Sequence, residues 1–186
     1  MLYISKGVPE KEGISVRLRV INGGQVYTLF GLDETIWLRG RLGFSMTTSI
    51  AEELTVRNLM RTGLAECTSG EDSSSRYTIL SRCIIAPTRQ GKRVALQSEE
   101  KYILDWLRGA GLRLSLAELV FLHENGIKPA RNLLGEANRQ ALVERIYTAD
   151  TIDEQALEAK MEQAGKRDDV INAVLGLLKK KRVVLL

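Results

Sequence analysis

The spacing of apolar residues along this 186-residue chain changes near Ser98, and that change limits how the chain can fold. Ahead of it the period is two. Ile14, Val16, Leu18 and Val20 alternate with Ser15, Arg17 and Arg19; Asn22-Gly23-Gly24 interrupts, and a β-branched and aromatic run resumes from Gln25 to Phe30. Asn-Gly supplies the positive φ angles of a tight turn, so residues 14–30 read as a β-hairpin. Leu2, Tyr3 and Ile4 add a short edge strand. From Ser98 onward the period is 3.6: Tyr102, Ile103, Trp106 and Leu107 share one helix face, and Leu116, Leu119, Val120 and His123 follow the capping box Ser115-Leu116-Ala117-Glu118. Further helices are expected over 137–147, from Thr151, and from Asp168, the last with Val170, Ile171, Val174, Leu175 and Leu178 on a broad stripe. Val183 to Leu186 reads as a strand that needs a partner edge.

Between these regions, Asp33 is a candidate N-cap for a helix over 34–42 that stops at Gly43. Ser49-Ile50-Ala51-Glu52 has capping-box spacing and opens a second helix ending at Gly63. Residues 64–67 and 76–86 read as two strands around a Gly- and Ser-containing loop, in which Tyr77, Ile79, Cys83 and Ile85 share one parity. The expected class is therefore α+β. An N-terminal α+β domain over 1–90 is joined through a basic linker to an all-α domain over 98–186. No internal repeat stands out, although both halves place a Ser-capped helix after a Gly-terminated one, which leaves a degenerate second copy as the alternative for the helical half.

Composition narrows the function classes. An apolar fraction of 44% and 27% charged residues suit a chain with a real core rather than a disordered one. One histidine and two cysteines leave little room for histidine acid–base chemistry or a multi-cysteine zinc module. The net charge is +4. The excess lies in residues 1–97, with 13 basic and 9 acidic side chains, whereas residues 98–186 hold 14 of each. That balance favours a phosphate-bearing partner only mildly. No apolar run approaches the ~20 residues of a membrane span, and residues 1–11 lack the charged-then-apolar order of a secretory signal. A cytoplasmic location without membrane contact is expected, with Cys67 and Cys83 reduced.

The order of helix, polar turn, capped helix and two strands around a loop, over residues 33–86, resembles the winged-helix variant of the helix-turn-helix family. The resemblance implies duplex DNA as partner, contacted through helix 49–62 and the hairpin 64–86, and a role in transcription regulation. Carried over by position, Arg57, Asn58 and Arg61 would stand on the recognition helix, where Arg and Asn read base edges and Arg clamps phosphates. Arg76 would close the wing, and Arg89, Lys92 and Arg93 in the linker would track the backbone. The family's usual first helix is replaced here by the hairpin, and the wing Gly70-Glu71-Asp72 is acidic. A protein–protein adaptor on the same scaffold is the alternative, with the helical half supplying homodimerisation or a partner surface in either case.

Other constellations favour ordinary explanations. The run Lys179-Lys180-Lys181-Arg182 lies at a helix C-terminus, where cations complement the macrodipole. His123 falls on an apolar stripe without activating partners. Glu154, Glu158 and Glu162 form a solvated helix face with Lys166 four residues on. No nucleophile elbow, P-loop, dinucleotide fingerprint or zinc-ligand spacing is present. A non-enzymatic protein without metal or cofactor is the expectation.

Overall fold

A computed structural model describes residues 1–10, 17–88, 94–109, 114–124, 126 and 165–186, and shows a mixed α+β chain. Strand β1 (Leu2–Ser5) is buried along its whole length and pairs antiparallel on both edges, with β5 (Ser45–Met46) and β6 (Ala65–Thr68). The edge strand expected at the N-terminus is therefore a central one. Four consecutive buried positions need partners for every backbone group, which only a strand flanked on both sides supplies.

The Asn-Gly hairpin forms as read. β3 (Leu18–Asn22) and β4 (Gln25–Leu29) meet at Gly23 and Gly24, with φ of 56° and 80°, and β2 (Val8–Pro9) pairs on the outer side of β3. Ile14 and Val16 lie outside the described residues. Helix α1 (Gly31–Gly40) starts earlier than expected: Phe30 occupies the N-cap, while Asp33 and Glu34 sit in the first turn, where carboxylates favour the helix dipole without capping it. Helix α2 (Ile50–Arg61) follows, capped by Ser49.

Two expectations are overturned. Residues 64–86 do not form a hairpin. Helix α3 (Ser73–Ser81) stands between β6 and β7 (Ile84–Pro87), and the two strands belong to different sheets. Asp72 accepts the Ser75 N–H at 2.6 Å and so starts a helix where the serines had suggested a loop. The C-terminal half is likewise not all helical. Helices α4 (Ser98–Gly109), α5 (Leu116–Glu124) and α6 (Gly165–Lys179) surround a sheet in which β7 pairs with β8 (Leu114–Ser115) and β9 (Val183–Leu185). β9 is the terminal strand read from sequence, and β7 is its partner edge. The expected helices over 137–147 and from Thr151 lie outside the described residues.

Of the three sheets among the described residues, those centred on β1 and β7 share one plan. Each has its earliest strand in the middle, then a helix (after the β2–β4 hairpin in the first), a two-residue strand and a Ser-capped helix; the closing strand is preceded by that same helix α2 in the first and by α6 in the second. Their registers match residue for residue: Tyr3 opposes Ser45 and Cys67 as Ile85 opposes Leu114 and Leu185. Trp37-Leu38-Arg39-Gly40 ends α1 five residues before β5 begins, and Trp106-Leu107-Arg108-Gly109 ends α4 with the same spacing to β8. Both Trp side chains are fully buried. The helices leading into β6 and β9 end alike, with Gly63 and Leu64 donating to the carbonyls of Met60 and Leu59, and Lys181 and Arg182 donating to those of Leu178 and Leu177. The second copy carries more helix, because α6 packs on both α4 and α5.

β1 separates two cores. Tyr3 belongs to a cluster with Val20, Leu29, Ile36, Trp37, Val56 and Leu59, while Leu2 and Ile4 join the larger cluster built by α3 to α6 and the second sheet. Alternation along one strand thus assigns its side chains to opposite cores.

Two substitutions test this packing. An alanine Cβ at Gly40 would lie 2.5 Å from Ser5 Oγ and 2.6 Å from the Tyr3 ring. Gly40→Ala should lower the unfolding free energy from urea titration by about 1–3 kcal/mol, because overpacking outweighs the roughly 1 kcal/mol of helix propensity gained. Lys181 holds φ at 55° where the first copy has Gly63 at 74°. Lys181→Gly removes about 1–2 kcal/mol of left-handed strain and adds about 0.5–1 kcal/mol of unfolded-chain entropy, so the same titration should show a small net stabilisation.

Candidate nucleic-acid interface

Helix α2 is held from one side and open on the other. Thr55, Val56 and Leu59 are buried against the first core, and α1 packs alongside. Its N-terminus departs from a simple capping box. The Glu52 N–H donates to Ser49 Oγ at 3.3 Å, but the Glu52 carboxylate turns away from the Ser49 backbone and accepts from the Thr48 N–H at 2.8 Å and its hydroxyl at 3.1 Å. The same oxygen meets Arg39 at 2.8 Å, and Arg39 Nε donates to the Tyr3 hydroxyl at 3.0 Å. These bonds fix α2 against α1 and β1. The Arg39 guanidinium, followed by the Thr48 bonds, holds the Glu52 carboxyl below its ordinary range, and the same contact raises Arg39.

The open face carries Ile50, Leu54, Arg57 and Arg61, spaced i, i+4, i+7 and i+11 and therefore aligned in one stripe. Ile50 is 79% exposed and Leu54 57%. Arg57, Asn58 and Arg61 are exposed, and their side chains make no hydrogen bond or ion pair with the described residues. Glu53, beside them, is 4.0 Å from the N-terminal ammonium. The three α2 residues singled out from sequence are thus together, free and on a rigid support.

Arg76 does not join them. On α3 it places its guanidinium 6.0 Å from the centroid of the Phe44 ring, and it lines a separate cleft with Arg39, Leu42, Gly43, Leu175 and Lys179. Arg89, Lys92 and Arg93 lie outside the described residues. Arg39 is unmarked in the sequence and Lys179 stands out only as part of a helix-terminal basic run, because the two reach the cleft from positions 140 apart.

The remaining reactive groups are quiet. Burial raises the Cys67 thiol against the opposing pull of Arg57 and Arg82, and burial pushes Cys83 up to about 12. Neither is poised as a nucleophile. His123 stands edge-on to Tyr102, with ring centroids 5.3 Å apart, at the margin of the larger core. Among the described residues no group of His, Cys, Asp or Glu could hold a metal ion, and no helix is long and apolar enough to cross a membrane. No family model, curated protein or solved structure matches the chain.

The Glu52 contacts predict an acid-side dependence of stability. A carboxylate depressed in the folded state stabilises the fold above its unfolded value, near 4.5, and loses that contribution as pH falls through the folded value. Glu52→Gln should flatten the decline in unfolding midpoint below pH 4.5, leaving the part from Asp72, which is likewise lowered by its Ser75 bonds. Urea titrations at pH 3 to 6 measure the difference.

Proposed function

We propose that the protein binds duplex DNA through the exposed face of α2, in a winged-helix-like unit whose third strand comes from the chain start instead of a wing. The observation that carries this reading is the set Arg57, Asn58 and Arg61, solvent-facing and unpaired on a helix braced by a buried core. In this reading Arg57 and Arg61 neutralise phosphates or engage guanine edges, Asn58 reads an adjacent edge, and Leu54 meets a thymine methyl. A regulatory role follows if two such faces are paired by dimerisation at a spacing of one DNA turn. The mild basicity of the first half acts in the same direction.

The exposure of Ile50 and Leu54 favours one second reading, a protein-binding adaptor that uses the same stripe. Fluorescence anisotropy with a random duplex at 50 and 200 mM salt separates the two. DNA binding predicts affinity that falls steeply with salt. Arg57→Ala with Arg61→Ala should weaken it at least about tenfold and reduce the salt slope by about two. Ile50→Ser with Leu54→Ser should leave the salt slope unchanged. Absence of salt-dependent binding by the native protein sinks the DNA reading and leaves the adaptor.

A further inference from the structure

The cleft that captures Arg76 is built from parts of both copies. Its walls are the α1–β5 loop with Leu42, Gly43 and Phe44, the start of α3 with Arg76, and the end of α6 with Leu175 and Lys179; Arg39 closes one side. Its volume is about 340 Å³, the size of a small-metabolite site. No Asp or Glu lines it. Arg39 is pre-positioned, because Nη2 meets Glu52 and Nε donates to Tyr3, which leaves Nη1 available. Arg76 and Lys179 have no carboxylate partner among the described residues. With Arg39 neutralised by Glu52, two uncompensated positive charges converge on one concavity. An anion of about two charges is the complement of such a lining. Phe44, beneath the Arg76 guanidinium, and the side chains of Leu42 and Leu175 provide an apolar wall for a flat body attached to that anion.

We propose that this cleft binds a small phosphate monoester carrying a planar ring, with Arg76 and Lys179 on the phosphate, Arg39 Nη1 as a further donor, and Phe44 against the ring. A phosphate monoester carries about −1.5 to −2 at neutral pH, which matches the two free cations. A guanidinium forks onto two phosphate oxygens while an ammonium acts as a point charge, so Arg76 sets orientation and Lys179 contributes mainly field. The site is separate from the α2 stripe, and its occupation does not depend on DNA binding.

The test titrates the full-length protein with adenosine 5′-monophosphate, adenosine and inorganic phosphate, followed by calorimetry and by amide and arginine Nε–H shifts. The monophosphate should bind, adenosine should not, and inorganic phosphate should bind more weakly because it forgoes the ring. Arg76→Gln with Lys179→Gln should weaken the monophosphate at least tenfold, whereas Arg57→Ala with Arg61→Ala should leave it unchanged. Phe44→Ala should abolish the preference for the monophosphate over phosphate. Arg76 and Lys179 are surface residues, so the unfolding midpoint of their double variant should stay close to native. Failure of the monophosphate to bind at millimolar concentration, or binding indifferent to the double variant, overturns the proposal. So does a duplex that needs Arg76 and Lys179 while the free monophosphate is ignored, since the cleft would then serve a polymer backbone.

Discussion

Everything in this molecule is hung on a four-residue strand whose side chains alternate between two cores. Leu2 and Ile4 enter the larger core and Tyr3 the smaller, so the same strand is the inner wall of both. A one-residue slip would exchange these sides and expose the tyrosine hydroxyl to an apolar cluster that offers it no partner. In the observed register the hydroxyl donates to the Ile36 carbonyl at 3.1 Å and accepts from Arg39. From Arg39 the connection continues through Glu52 to Thr48, so a bond made by the third residue helps to set the angle at which α2 presents its open face. The interaction is partly buried, which is why it fixes position better than a surface ion pair would.

What could be read from the sequence followed from local rules. The Gly23-Gly24 turn, the apolar stripe of α4, the capping box at Ser115 and the terminal strand are each decided within a few residues. The box forms as written, with Ser115 N–H on Glu118 at 2.7 Å and Glu118 N–H on Ser115 Oγ at 3.2 Å. The failures arose where local pattern and tertiary pairing disagree. Residues 76–86 mix a helical and an alternating period, and parity at Tyr77, Ile79, Cys83 and Ile85 was consistent with a strand. Asp72 as N-cap and the burial of Ile79 and Leu80 together decide for a helix followed by a strand. The central place of β1 was invisible because its two partners lie more than forty residues downstream. Of the candidate interface, the α2 residues were legible from helical spacing, whereas the cleft was not, since proximity of Arg39, Arg76 and Lys179 is a product of the whole fold.

The shared plan also has a written trace. Trp-Leu-Arg-Gly occurs at 37–40 and again at 106–109, and Ser-Ile-Ala-Glu at 49–52 has a counterpart in Ser-Leu-Ala-Glu at 115–118. The offset between the members of the two pairs differs by three residues, 69 for the first and 66 for the second, because the first copy has three more residues between its Trp-Leu-Arg-Gly and its capping serine. That offset hides the repeat from a search at fixed period, while the shared strand register restores it.

Matching registers align the ends of α2 and α6 without gaps, so Arg57 and Arg61 correspond to Leu175 and Lys179. One helix face is thus used in two ways. In the first copy it faces solvent with two unpaired guanidinium groups. In the second the equivalent positions line the cleft, where the α1–β5 loop of the first copy lies beside them. Replacement of an arginine by Leu175 makes that face partly apolar, as a concave site needs, and Lys179 keeps the charge at the other position. One chain thus carries two cationic surfaces of different shape. One is a convex helix face and the other an open cleft lined from three elements. Both surfaces touch Arg39 through different atoms: Nη2 meets Glu52, which orients α2, while Nη1 remains for the cleft, so the two surfaces share a residue without sharing a bond.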